Sequence, residues 1–290
     1  MLTILTPTFN RKKRLMDLYG SLFSQTDKDF TWLVVDDGSN DNTEAMIAGL
    51  ASEAPFPIRY IYKENGGKHT ALNVGVSAIE SELTFIVDSD DILDEEAVAV
   101  IRRYHEQYRH EAMLCGYAFL RRYPDGKING KQFKPDEKLA FYIDERINGH
   151  DTQADKAEVF FTECLKEFPF PEYPGEKFLG EDMVWIRMSL KYKMLHVNKA
   201  IYIGNYLPDG LTHNRRRLNI VSPIGCMQRG REYMRRELKL RYRIKGGLQY
   251  VIYGRFAGFS GKALYNQSDY KLLVLLLLLP GTILYNKWES

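Results

Sequence analysis

The chain has 290 residues, 44% of them hydrophobic and 13% aromatic, with a formal charge of +2; this excludes a disordered chain and supplies one large α/β domain, or a domain with a sizeable extension. Three widely spaced cysteines, Cys115, Cys164 and Cys226, exclude a disulfide framework or a zinc-ligand spacing and make a reducing cytoplasm the expected compartment. The small net charge hides an asymmetry: Leu211 to Lys262 carries thirteen Lys/Arg against two acids, a local +11, which leaves about −9 on residues 1–210.

"MLTILTPTFN" enters an apolar run and a turn at once, so no signal peptide is expected. "LTILT" (2–6) reads as a strand, and "RLMDLYGSLF" follows with Leu15, Leu18, Leu22 and Phe23 at helical spacing. "TWLVVDD" (31–37) is a second strand, and Asp41 with Glu44 forms a capping-box pattern for a helix through about Leu50. "IRYIY" (58–62) is a third strand; the helix after it puts Leu72, Val76 and Ile79 on one face. "LTFIVD" (83–88) is a fourth, near-continuously apolar as a doubly covered strand should be, and Asp94, Glu95 and Glu96 suit the start of a helix to about Tyr108. Strands alternating with helices predict a mainly parallel sheet covered on both faces, a Rossmann-like α/β fold. Further on, "MLCGYAFL" and "MLHVNKAIYIG" read as strands, and the Pro-rich 168–182 as a loop leading into the helix "DMVWIRMSLKY". Beyond Pro223 the pattern is helical and basic, ending in "LLVLLLLLPGTILY".

"PTFNR", "DDGSND" and "DSDD" all fall just past strand ends, the edge of a parallel sheet where ligands bind. Asp88, Asp90 and Asp91 crowd like charges that a divalent cation would neutralise. The occupant they suit is a metal–diphosphate, Mg2+ or Mn2+, with Asp90 as ligand, Asp88 beside it and Ser89 between them; a strand end that caps the next helix is the plain alternative. Asp37 can accept from a nucleoside or simply shape a turn. In "PTFNR" the ring of Phe9 can lie against a base, with Pro7, Thr8 and Asn10 as substrate contacts. Gly66 and Gly67 permit close backbone approach, and Lys68 opens a helix whose N-terminus favours anions, or is a solvated turn lysine.

"LTPTFNR", "VVDDGSNDNT", "ENGGKHTALNVG" and "FIVDSDDIL", in this order, resemble the family 2 glycosyltransferases of GT-A fold, strongly over about 110 residues and more loosely to about 210. The resemblance implies a nucleotide-sugar donor, usually a UDP-sugar, and transfer with inversion. It implies that Asp37 reads uracil, that Pro7 and Phe9 flank the nucleoside, that Asn65 lies close to it, and that Asp88 and Asp90 form the DxD element. Where many relatives have an arginine before the residue matching Asn73, this chain has Leu72, so Lys68 or His69 is the expected substitute at the phosphates. "GEDMVW" (180–185) resembles the family's acceptor-site acidic pair, which makes Asp182 the expected general base and Glu181 an acceptor contact. Late in the family pattern a histidine reaches the metal or diphosphate, and His213 matches it or is a surface residue.

The expected division is a catalytic domain, 1–215, and a helical extension, 216–290. The leucine run, broken by Pro280, is short for a spanning helix; as a buried core helix it would be unremarkable, but "REYMRRELKLRYRIK" suits an anionic membrane surface better than nucleic acid. Family analogy adds a glycan acceptor, lipid-linked, in surface-polysaccharide or capsule assembly on the inner face of the cell membrane. A non-catalytic nucleotide-binding scaffold is the alternative function.

Overall fold

In the computed structural model, residues 1–149, 154–204 and 215–289 are described. The elements in chain order are β1 (Leu2–Thr8), α1 (Lys12–Phe23), β2 (Phe30–Asp36), α2 (Thr43–Ala51), β3 (Ile58–Tyr62), α3 (Lys68–Ala78), β4 (Leu83–Ile86), β5 (Ile92–Leu93), α4 (Ala97–Tyr108), β6 (Leu114–Arg122) and β7 (Lys138–Ala140). A π-helical turn (Ile143–Ile147), β8 (Lys156–Phe161), α5 (Thr162–Glu167), α6 (Asp182–Met188) and β9 (Lys193–Ile203) follow. The chain closes with α7 (Arg215–Val221), α8 (Pro223–Tyr233), α9 (Leu240–Phe256), α10 (Gly261–Gln267) and α11 (Lys271–Glu289).

The described strands form one nine-stranded sheet, ordered β3-β2-β1-β4-β8-β6-β9-β5 with β7 on β9. β1 pairs in parallel with β2 and β4, and β2 with β3. β8 enters antiparallel between β4 and β6, after which β6 and β9 resume the common direction. Side-chain alternation divides the core. Ile4, Trp32 and Val34 pack with Leu15, Leu18, Ile47 and Ile101 on one face. Leu5, Leu33 and Val35 pack with Leu72, Val76, Leu165 and Met183 on the other. The sheet is therefore covered on both sides, as the unbroken apolar runs predict.

Three local expectations are corrected, and one, the acidic start of α4, holds. Asp41 is not the N-cap of α2; that position is Asn42, in left-handed conformation and with no side-chain cap bond of its own. The Asp41 carboxylate accepts from Lys12 N at 3.0 Å, on the first turn of α1, and from Thr43 Oγ1 at 2.5 Å. Phe23 is half exposed, unlike Leu15, Leu18 and Leu22. The acids Asp94, Glu95 and Glu96 do stand at the start of α4, with Glu96 as its N-cap, and Asp94 also pairs with Arg122 at 2.9 Å. Pro280 does not break the last helix: α11 runs through it, and half of its leucines are exposed and none is fully buried, so it is no buried core helix.

The helices after β9 build their own apolar cluster from Met227, Met234, Tyr250, Val251, Leu264 and Val274. They meet the sheet region through a smaller cluster, Ile143, Ile147, Ile186 and Leu238. That junction places α8 beside α6, at the edge where β1, β2 and β4 end.

Candidate active site

The carboxyl ends of β1, β2 and β4 open into a cavity of about 1380 Å³. Its sheet-side end is built around Asp37, 3% exposed. Oδ1 of Asp37 accepts from Lys63 Nζ at 2.6 Å and from Gly66 N at 2.9 Å; Oδ2 accepts from Gly67 N at 2.7 Å and Asn65 Nδ2 at 3.1 Å. Four donors match the carboxylate's lone-pair capacity, so Asp37 ties the "NGG" turn to the end of β2. Gly67 is required there: its φ is +99°, and a Cβ would stand 2.1 Å from the Lys177 carbonyl oxygen. Pro7, Thr8, Phe9 and Asn65 line this end. Phe9 is 47% exposed, and Thr8 Oγ1 is buried with no hydrogen-bond partner among the described residues. Asn10 is not in the cavity wall; it joins the β1 and β2 loops, its N donating to Ser39 Oγ at 2.8 Å and its Oδ1 accepting from Asn40 N at 2.9 Å.

At the end of β4, ligand oxygens of Asp88, Asp90 and Asp91 lie within 4.8 Å of one another, with Ser89 beside them in the wall. Each has a cation: Lys68 on Asp88 at 2.6 Å, Arg11 on Asp90, and Arg121 on Asp91 at 2.9 Å. Tyr202 donates to Asp91 Oδ2 at 2.9 Å and accepts from Asp88 N at 3.0 Å. Burial pushes the Asp91 carboxyl up to about 7; Arg121 opposes the rise, and repulsion from Asp88 and Asp90 adds to it. Burial also raises Asp88, but Lys68 outweighs it and the pKa falls below the usual carboxylate value. The local charge is balanced for Asp88 and incompletely so for Asp91, a deficit that a dication at the cluster would relieve. The residues fit one.

Lys68 reaches further, to Glu181 at 2.7 Å. Burial works to neutralise this ammonium, but Asp88 and Glu181 together hold its pKa above the ordinary lysine value. Next to Glu181, Asp182 opens α6. Its Oδ1 accepts from Arg229 Nε at 2.6 Å, and its Oδ2 from Arg229 Nη2 and from Tyr233 OH at 2.6 Å. A bidentate guanidinium fixes a carboxylate's plane. The far wall carries Tyr142, Arg146 with Glu158 at 2.6 Å, and, on the first turns of α9, Arg241 and Lys245.

Pro7, Thr8, Phe9, Asp37, Asn65, Lys68, Asp88, Ser89, Asp90, Glu181 and Asp182 thus share one cavity wall. Leu72 is fully buried in the core and His69 nearly so, which leaves Lys68 as the cation of that turn facing the cavity. His213 lies outside the described residues. Sequence reasoning did not single out Arg11, Arg121, Tyr202, Arg229 or Tyr233. Arg11 was signalled as the last residue of "PTFNR"; the others come from distant segments with no local mark.

A family model, Glycosyl transferase family 2, matches residues 3–154, just over half of the chain. Among curated proteins, the poly(ribitol-phosphate) beta-N-acetylglucosaminyltransferase TarP of Staphylococcus aureus is 27% identical over 117 residues, 40% of this chain and 36% of that protein. The glycosyltransferase GlyG of Streptococcus pneumoniae is 27% identical over 118 residues, 40% of this chain and 39% of that one. The chain spans well under half the length of these relatives. Among solved structures, TarS 1-349 of S. aureus superposes with TM-score 0.61 at 17% identity, over 98% of this chain and 78% of that one. The mannosyltransferase PcManGT from Pyrobaculum calidifontis, in complex with GDP-Man and Mn2+, gives 0.58 at 17%, over 99% and 82%. At such identities the likeness establishes the fold, of GT-A type.

Proposed function

The chain belongs to the family 2 glycosyl transferases, and from there we propose that it moves a sugar from a nucleotide-sugar, a UDP-sugar, to a hydroxyl of a glycan acceptor, with inversion and with Mn2+ or Mg2+ at the acidic cluster. The observation that carries this reading is one cavity wall in which the Asp88–Asp90–Asp91 cluster and the Glu181–Asp182 pair are linked through a single ammonium, Lys68. UDP-GlcNAc in TarS and GDP-Man with Mn2+ in PcManGT support a nucleotide-sugar and a divalent ion. Asp88 and Asp90 would hold the ion, which when bound neutralises the diphosphate leaving group. Arg11 and Lys68, now on those aspartates, are placed to turn to phosphate oxygens. Pro7, Thr8, Phe9 and Asn65 border the nucleoside, with Asp37 fixed beneath it.

Asp182 is the base. It takes the proton of the acceptor hydroxyl as that oxygen attacks the anomeric carbon, and a carboxylate suffices because the proton becomes acidic only as the bond forms. Arg229 and Tyr233 keep the carboxylate in one orientation, and Glu181 binds the acceptor. Arg241 and Lys245 carry no carboxylate partner among the described residues and suit an acceptor with negative charge, such as a lipid-linked glycan of a surface polysaccharide. A thermal-shift panel of UDP-, GDP- and dTDP-sugars, with and without Mn2+, tests the donor: one nucleotide should stabilise, and more so with metal. No stabilisation by any of them would overturn the reading. Stabilisation by a UDP-sugar without transfer to any acceptor would favour the non-catalytic scaffold.

A further inference from the structure

Helix α11 is apolar on two opposite faces. One is committed to protein: Gly281 lies against Val251, Leu277 against Gly247, Tyr285 against Phe256 with ring centroids 4.8 Å apart, and Trp288 under the Arg216 guanidinium at 4.7 Å. On the other, Leu272, Leu275, Leu276, Leu279 and Ile283 recur at helical spacing and are 55–72% exposed. An unbroken aliphatic stripe of this kind on a folded surface marks an interaction site.

We propose that this stripe docks α11 flat on an anionic lipid surface. The stripe is purely aliphatic, without the Tyr, Trp and Arg anchors that dominate protein interfaces, where leucine is under-represented. Cations frame it. Lys271 is exposed at its start, Lys287 follows Ile283 by one turn, and Lys262 is exposed on α10, whose Gly261 touches Leu278. At the start of α9, Leu240 and Ile244 are exposed beside Arg241 and Lys245, so apolar and basic groups alternate there too. Lysines at the ends of an apolar face reach head groups while the face sinks toward the acyl chains.

The helix has 19 residues and is long and apolar enough to cross a bilayer. Spanning would strip its inner face from α9 and remove Tyr285 and Trp288 from Arg255 and Arg216. Lying in the interface plane keeps every one of those contacts. This docking requires nothing of the transfer chemistry.

Co-sedimentation of the full chain with phosphatidylcholine vesicles, and with vesicles containing one-third phosphatidylglycerol, tests it. Binding to the anionic vesicles is expected, weakening by about tenfold or more in Leu275→Asp/Leu279→Asp and by a comparable factor in Lys271→Glu/Lys287→Glu. These side chains are at the surface, so the melting temperature should hold; should the double aspartate variant fail to fold, Leu279→Ser gives the same sign with smaller size. Absence of vesicle binding, or binding indifferent to the leucine substitutions, overturns the proposal. So does a dimer in light scattering that Leu279→Ser dissociates while vesicles are ignored, because the stripe would then cover a second copy.

Discussion

The two sides of the cavity are built on opposite terms. At the sheet edge, Asp37, Asp88, Asp90 and Asp91 each already hold a cation from within the fold. On the helical side Arg229 holds Asp182, but Arg241 and Lys245 have no carboxylate partner among the described residues, and α11 shows half of its leucines to solvent. Clustered carboxylates cannot wait for a ligand uncompensated, because their repulsion would act against folding itself. Exposed lysines and leucines cost the fold little and can wait. The sheet edge is thus balanced without a ligand, whereas the helical side presents cations and leucines that the described fold leaves uncovered.

The largest expected effect lies where the two sides meet. Asp182→Asn should lower the transfer rate by about 10²–10⁴ while the stabilisation by nucleotide-sugar persists; full turnover in this variant would mean that the base lies elsewhere. Asp90→Asn should abolish the metal-dependent part of that stabilisation and leave the metal-free melting temperature within a few degrees, as calorimetry with and without EDTA can decide. A third contrast is pH. Burial holds the fully enclosed His196 down at about 4, against 6.5 for a free imidazole. The unfolded chain takes up its proton first, so this residue's contribution is present above 6.5 and lost as pH falls toward 4, by about 3 kcal/mol. Urea titrations from pH 7 to 4 should show that loss, reduced in His196→Gln. Smaller still, Gly67→Ala should cost about 1–3 kcal/mol and weaken donor binding, since its new methyl group meets the Lys177 carbonyl; an unchanged melting temperature would show that the turn yields freely.

How much was legible follows the same division. β1 to β4 declared themselves because strands covered on both faces read as apolar runs, and their polar ends marked the cavity. β8 did not: "KAEVFF" buries Lys156 and places Glu158 in the cavity wall, and Glu158 is compensated by Arg146 from another element. Asp41 holds the first residue of α2 as its spacing suggests, but it also accepts from the first residue of α1, and spacing along the chain cannot say that α1 begins beside it. Asp182 stands out locally in "GEDMVW", but the residues that grip it, Arg229 and Tyr233, come 47 and 51 positions later. Pro280 misled because its neighbours, rather than its own missing N–H, decide whether the helix continues; packing against α9 carries α11 through.

Lys68 is one charge serving two carboxylates, Asp88 and Glu181. Under the proposed function, a nucleotide-sugar that drew this ammonium toward its phosphates would leave Glu181 ready for the second substrate only after the first had been loaded. Compulsory-order kinetics should result, with an unreactive acceptor analogue inhibiting uncompetitively against the sugar donor; Lys68→Met should turn that pattern into random addition.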